Sequence, residues 1–180
     1  MTLRSVLRMG DERLYQIAER VSHFDTPQLY QWITDMYDTM HACEGAGISA
    51  PQIAINKRIV IFGVYTPRYP DAGDVPETVL INPEIIPIGD AVEDYWEACL
   101  SVPGLRGLVS RPRHIYYRGH DPKGTLIERE AIGFHARVVQ HEVDHLNGLL
   151  FPQRFRNLEY FGYEEEVGFN QLIKKVTNES

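Results

Sequence analysis

Cysteine is scarce: the 180 residues hold only Cys43 and Cys99. Two cysteines do not build a disulfide framework, and a reducing compartment leaves both thiols free for metal or chemistry. Long apolar runs are missing too; none approaches the roughly 18 residues that a membrane helix needs. The opening stretch Met1 to Arg8 is broken by Arg4 and carries no small-residue cleavage site, which speaks against a secretory signal and sets a cytoplasmic location as the expectation. Basic residues are in deficit, 18 Lys and Arg against 25 Asp and Glu for a net charge of −7. That balance excludes a general nucleic-acid surface, because phosphate binding needs clustered cations. Internal repeats, low-complexity tracts and linkers are absent as well, so residues 1–180 read as one domain, long enough for one core and short for two.

What is present divides by texture. The first 43 residues read as helical, with a short segment near Asp11 to Arg20 and a longer one from Pro27 to Cys43. In the longer one Leu29, Trp32, Ile33, Met36 and Met40 recur at three- and four-residue intervals after a Thr26-Pro27 start. Glu44-Gly45-Ala46-Gly47 ends it. From Arg58 to about Phe134, short β-branched and aromatic runs divided by Pro and Gly predict a mostly antiparallel sheet, with strands over Arg58 to Val64, Thr78 to Asn82, Glu84 to Ile88, Arg113 to Gly119 and Thr125 to Glu130. The densest basic stretch, Arg106 to Arg118, reads as strand edges, and Thr66 to Glu77 as a loop. Helical spacing resumes from His135 to Leu146, and Asn147-Gly148 supplies the stop.

That last helix carries His141-Glu142-Val143-Asp144-His145. Histidines four apart lie one turn apart on one helix face, where a single cation can take both. Glu142 is rotated by roughly 100° from His141, close enough to serve water at such a cation without being a ligand. Catalytic centres of this kind keep three protein ligands and one open position. The third ligand is either a downstream carboxylate, Glu159 or Glu164 to Glu166, or the upstream Cys99, whose thiolate is a strong soft donor. Spacing alone does not choose. Farther upstream, Gly45-Ala46-Gly47-Ile48-Ser49-Ala50-Pro51-Gln52 places glycines where backbone can approach a ligand, then an amide able to donate to a developing oxyanion.

Together Gly45 to Gln52, Glu97 to Ser101 and Gln140 to His145 resemble the three signature motifs of the peptide deformylases, in the same order and at similar separations. The resemblance runs from the N-terminal helix to about Phe151. It implies an α+β fold, a mostly antiparallel sheet packed around a central metal-binding helix with N-terminal helices. It also implies a bacterial-type hydrolase that removes the formyl group from the N-terminal formyl-methionine of new polypeptides and releases formate. Cys99, His141 and His145 would be the metal ligands, Glu142 the catalytic carboxylate, and Gln52 with the backbone N–H of Leu100 the oxyanion hole. Gly47 would offer its backbone to the peptide, and Arg106 would lie near it. The metal would be one divalent ion, Fe²⁺, with Zn²⁺, Ni²⁺ or Co²⁺ able to substitute. N-formyl-methionyl nascent peptides would be the partners, with transient ribosome contact through at most the weak Lys174-Lys175 pair, no nucleic acid, no membrane, and a monomeric state.

Two positions depart from the family pattern, Ala98 where Gly is usual and Ser49 where Ala is usual; neither removes a chemical group. Phe134 and Val138 read either as core or as lining for a methionine side chain. Trp32, Trp96 and Tyr95 read as core, as does Cys43, while Glu164-Glu165-Glu166 reads as a solvated face. His23, His41, His114, His120 and His135 lack metal spacing and read as surface or hydrogen-bonded residues. Asp144 has a supporting role at most. The competing functions are a metallopeptidase with a downstream Glu ligand and a non-catalytic relic that binds peptide or stores metal.

Overall fold

A computed structural model describes residues 3–63, 75–155 and 157–166. Most of the loop read over Thr66 to Glu77 and the Lys174-Lys175 pair lie outside the described residues. Among the described residues eight strands and two α-helices carry the fold: α1 (Pro27–Ala42), β1 (Gly47–Ser49), β2 (Ile59–Phe62), β3 (Thr78–Pro87), β4 (Val92–Cys99), β5 (Val102–Pro112), β6 (His114–His120), β7 (Leu126–Ile132), α2 (Phe134–Leu146) and β8 (Phe161–Tyr163). They form a five-stranded sheet in the order β1-β2-β3-β6-β7 and a three-stranded sheet in the order β4-β5-β8, every pair antiparallel. Among the described residues no helix is long and apolar enough to cross a membrane.

The run Ile59-Val60-Ile61-Phe62 explains how the larger sheet is covered. Alternate side chains of a strand point to opposite faces, so a continuous apolar run marks a strand buried on both. Val60 and Phe62 pack with Leu80 of β3 and with Val139, Val143 and Leu146 of α2. Ile59 and Ile61 pack on the opposite face with Leu29, Ile33, Met36 and Met40 of α1. Each of these long apolar side chains is worth about 1.5–3 kcal/mol once removed from water. The central helix is thereby seated against the sheet by its apolar stripe, which leaves its polar face for the site. A separate cluster under the smaller sheet joins Cys99, Val102, Val109, Leu150 and Phe151.

The longer N-terminal helix forms as its sequence predicts: the Thr26 side chain accepts from Leu29 N–H, and Pro27 occupies the first turn. The shorter one does not. Only a 3₁₀ turn, Glu12–Tyr15, forms between Asp11 and Arg20. Beyond it the backbone bonds to distant chain: Ala18 N–H donates to Leu146 O, and Glu19 bridges to Lys57. Leu14 and Ala18 are buried while Ile17 is 75% exposed, a spacing that a non-helical segment meets once tertiary partners take its hydrogen bonds. The two strands read over 78–88 are one, bent by a bulge between Ile81 and Glu84. Asn82 sits there in the left-handed region (φ 52°), its side chain pairing with both Val21 N–H and Val21 O.

β4 is not among the strands expected, because its acidic residues interrupt the pattern, and of β5 only the part from Arg106 on reads as strand edge, because Pro103 and Gly104 break up its start. Trp96 is buried as expected, whereas Trp32 and Cys43 are half-buried and Tyr95 is 45% exposed. Tyr95 meets Phe134 edge-on and lies over the Arg137 guanidinium, partners that hold an aromatic ring at the surface. Of the remaining histidines, His23, His114 and His135 hydrogen-bond Ser22, Glu130 and Tyr117, and His120 packs on Phe24.

Candidate metal centre

The end of β4, the turn after it and the polar face of α2 converge. Ligand atoms of Cys99, His141 and His145 all lie within 4.8 Å of one another, and Cys99 Sγ is 3.3 Å from His145 Nε2. The upstream cysteine therefore joins the histidines, and the downstream carboxylates do not: Glu159 is exposed and bonded to Asn157, and Glu164 is paired with Arg106. A thiolate with two imidazoles is a soft, three-donor set suited to a divalent transition ion that keeps a further position open. The adjoining buried carboxylate oxygen, Glu142 Oε2, has no hydrogen-bond partner among the described residues, which fits a site meant to hold water and a cation.

Beneath the ligands runs a buried ionic network. Glu97, two residues before Cys99, accepts from Arg111 Nε (2.6 Å) and Nη2 (2.9 Å), from Arg137 Nη1 (2.7 Å) and from His141 Nδ1 (2.9 Å). Burial disfavours its charge, but the Arg111 and His141 hydrogen bonds outweigh that and hold the Glu97 carboxyl far below the usual carboxylate range. An ionised Glu97 obliges His141 to carry its proton on Nδ1, which turns Nε2 toward the ligand cluster. Asp144 accepts from Arg111 Nη1 at 2.8 Å and from Arg154 Nε at 3.1 Å, so it fixes Arg111 from the other side. That gives Asp144 its supporting role. Glu97, Arg111 and Arg137 were not singled out in the sequence, although Arg137, His141 and Asp144 share one helix face at i, i+4 and i+7.

The titration of the centre follows from burial and neighbours. Burial pushes the Glu142 carboxyl up to about 7, with His141 and Arg111 pulling the other way. Burial works against a charged His141, yet the Cys99 sulfur and Glu97 raise it well above its ordinary value; burial, with His141 beside it, lowers His145. An ion at the cluster would take a thiolate and two imidazoles without protons on their ligating nitrogens.

A cavity of about 360 Å³ opens over these groups and is walled by Gly47, Gln52, Leu100, Arg106, Phe134, Val138, His141 and Glu142 among others. Thus all ten residues singled out in the sequence are brought together, nine of them, Cys99 included, in the cavity wall, and His145 buried behind. Gly47 is tied to Glu142 by contact: a Cβ there would stand 2.6 Å from Glu142 Oε1. Gln52 Oε1 accepts from Ser49, and its Nε2 lies 3.5 Å from Cys99 Sγ and 3.2 Å from Ser101 Oγ. Ala98 is exposed in the cavity wall, so its methyl crowds no packed neighbour. Glu164 departs from the solvated face expected of it; it is half-buried, lines the cavity and pairs with Arg106, while Glu165 and Glu166 are exposed.

The polypeptide deformylase family model matches residues 3–160. Peptide deformylase 1 of Bordetella pertussis is 57% identical over 164 residues, covering 91% of this chain and 93% of that protein. Peptide deformylase 1 of Nitrosomonas europaea is 52% identical over 172 residues, covering 95% and 98%. Among solved structures, the Met-Ala-Ser-bound class I type b peptide deformylase of Acinetobacter baumannii aligns with a TM-score of 0.82 at 40% identity, covering 86% of this chain and 99% of that one. The peptide deformylase of Thermotoga maritima aligns with a TM-score of 0.78 at 33% identity, covering 87% and 100%.

Proposed function

The chain belongs to the polypeptide deformylase family, and on that premise we propose that Cys99, His141 and His145 hold its divalent ion while Glu142, Gln52 and Leu100 carry out the proton and charge work. It is a metal-dependent hydrolase that removes the N-formyl group from the N-terminal formyl-methionine of newly made polypeptides. When bound, the ion lowers the pKa of water toward neutrality and polarises a carbonyl oxygen. Glu142 accepts a proton from the attacking water and passes it to the amine as the formamide C–N bond breaks, so formate and a free N-terminus leave. A carboxyl raised by burial is suited to this exchange at neutral pH.

Gln52 Nε2 and the Leu100 N–H donate to the carbonyl oxygen as it gains negative charge; one such donor is worth about 2.7–4 kcal/mol. Gly47 offers its backbone to the peptide, and Phe134 and Val138 face the methionine side chain. Arg106 binds peptide further out by sharing a guanidinium that Glu164 already holds. The ion is Fe²⁺ on the strength of the family resemblance alone, since a set of one thiolate and two imidazoles accepts Zn²⁺, Ni²⁺ or Co²⁺ as well. The catalytic domain spans 1–180 and works as a cytoplasmic monomer, with any ribosome contact no more than transient.

The observation that supports this reading is the convergence of the three donor atoms within 4.8 Å, next to a buried carboxylate and a buried amide in one cavity wall. Iron-loaded protein handled without oxygen should release formate from formyl-Met-Ala-Ser, and Cys99→Ala should lose the ion. Cleavage of an internal peptide bond with the formyl group left in place, or full metal content in Cys99→Ala, would overturn it.

A further inference from the structure

Gln52 does not stand alone. Its side-chain oxygen accepts two hydrogen bonds from one residue, Ser49 N–H at 2.9 Å and Ser49 Oγ at 3.0 Å, and both residues are buried, 0% and 1% exposed. A backbone N–H only donates, so the group facing it is the amide oxygen, and the NH₂ must lie on the other side. There one proton reaches Ser101 Oγ at 3.2 Å. The nitrogen is 3.5 Å from Cys99 Sγ, at the cavity wall. A carboxamide is nearly symmetric in shape, and half a turn about its terminal torsion would exchange oxygen for nitrogen; that torsion is broad and intrinsically soft.

We propose that Ser49 is a positioning residue for deformylation: its hydroxyl and amide together lock the Gln52 carboxamide with the NH₂ turned toward Cys99 and the substrate oxygen. The inference rests on the role given to Gln52 under the proposed function. With the hydroxyl gone, one of the two bonds to the oxygen remains, and the donor that must be in place before charge develops gains freedom. Preorganisation is what makes such donors effective, so the loss falls on the transition state and spares ground-state binding. One NH₂ proton goes to Ser101 Oγ and the other points toward Cys99 Sγ, on the side where the substrate oxygen would lie, a division that a freely turning amide would not keep.

The test is a double-mutant cycle on metal-loaded protein with formyl-Met-Ala-Ser. Ser49→Ala should lower kcat by about tenfold, the size of one lost buried hydrogen bond, with KM within about twofold of wild type. In a Gln52→Ala background the same substitution should change kcat by less than about twofold, because nothing remains to be positioned. An unchanged kcat in Ser49→Ala, or an equal loss with and without Gln52, would overturn the inference. On zinc-loaded protein the Gln52 NH₂ resonances give a readout free of turnover: two resolved, slowly exchanging protons in wild type and faster exchange in Ser49→Ala. Identical exchange in both proteins overturns the lock while the proposed function stands; wild type that releases no formate overturns the proposed function, and with it the catalytic meaning of the lock.

Discussion

Charged groups occur in two places around the metal centre and obey different rules. Below it, Glu97, Arg111, Arg137 and Asp144 are all buried, and each carboxylate oxygen of Glu97 is engaged at 2.6–2.9 Å. At the cavity rim, Arg106 and Glu164 form one ion pair with side chains 28% and 41% exposed. A buried cation stripped of its partner has no water to turn to, whereas a rim charge exchanges its partner for solvent at little cost. The floor therefore behaves as scaffold that fixes His141, and the rim as an adjustable surface where peptide can compete.

Substitutions that cut each region separately put numbers on this difference. Glu97→Ala leaves Arg111 and Arg137 facing each other and frees His141; urea unfolding should show a loss of about 3–5 kcal/mol, with metal content reduced as well. A loss below about 1 kcal/mol would erase the contrast. Gly47→Ala probes the step between floor and cavity, since its methyl must displace the Glu142 carboxylate: turnover should fall about 10²-fold with metal content preserved, measured as formate release per bound ion. Asp144→Ala comes next, at about 1.5–3 kcal/mol by the same unfolding assay, because Arg111 keeps Glu97 and Arg154, with its side chain 44% exposed, turns to water. Glu164→Gln should cost under about 1 kcal/mol and lower KM for the peptide by freeing Arg106; a stability loss as large as that of Asp144→Ala would place the rim with the floor.

How much of this was legible in the sequence depended on whether the signal was local. The His141/His145 spacing, the apolar stripe of α2 and the Thr26-Pro27 start of α1 are local patterns, and each stands in the structure as read. The 3₁₀ turn at Glu12–Tyr15 in place of a helix depended on a partner far along the chain, Leu146 for Ala18, while β4 and the start of β5 were hidden because a hairpin ladder, Val92–Pro112 to Glu97–Gly107, pairs residues whose polar and glycine-rich sequence lacks the usual alternation. The ligand set needed three motifs taken together, since nothing in the spacing alone preferred Cys99 to Glu159. The floor was hidden for a related reason. Glu97 lies within a recognised motif, but its value comes from Arg111 and Arg137, 14 and 40 residues away, and only tertiary structure brings them into contact. Ser49 was noted as a departure from the family pattern that removes no chemical group; its hydrogen bonds to Gln52 show what it adds.

The central claim is that a fixed floor presents one sulfur and two imidazole nitrogens to a single ion. X-ray absorption at the metal edge of the zinc-loaded protein measures that shell directly. The account predicts one sulfur and two nitrogen donors in wild type, with the sulfur lost in Cys99→Ser; a shell of oxygen and nitrogen alone in wild type would contradict it.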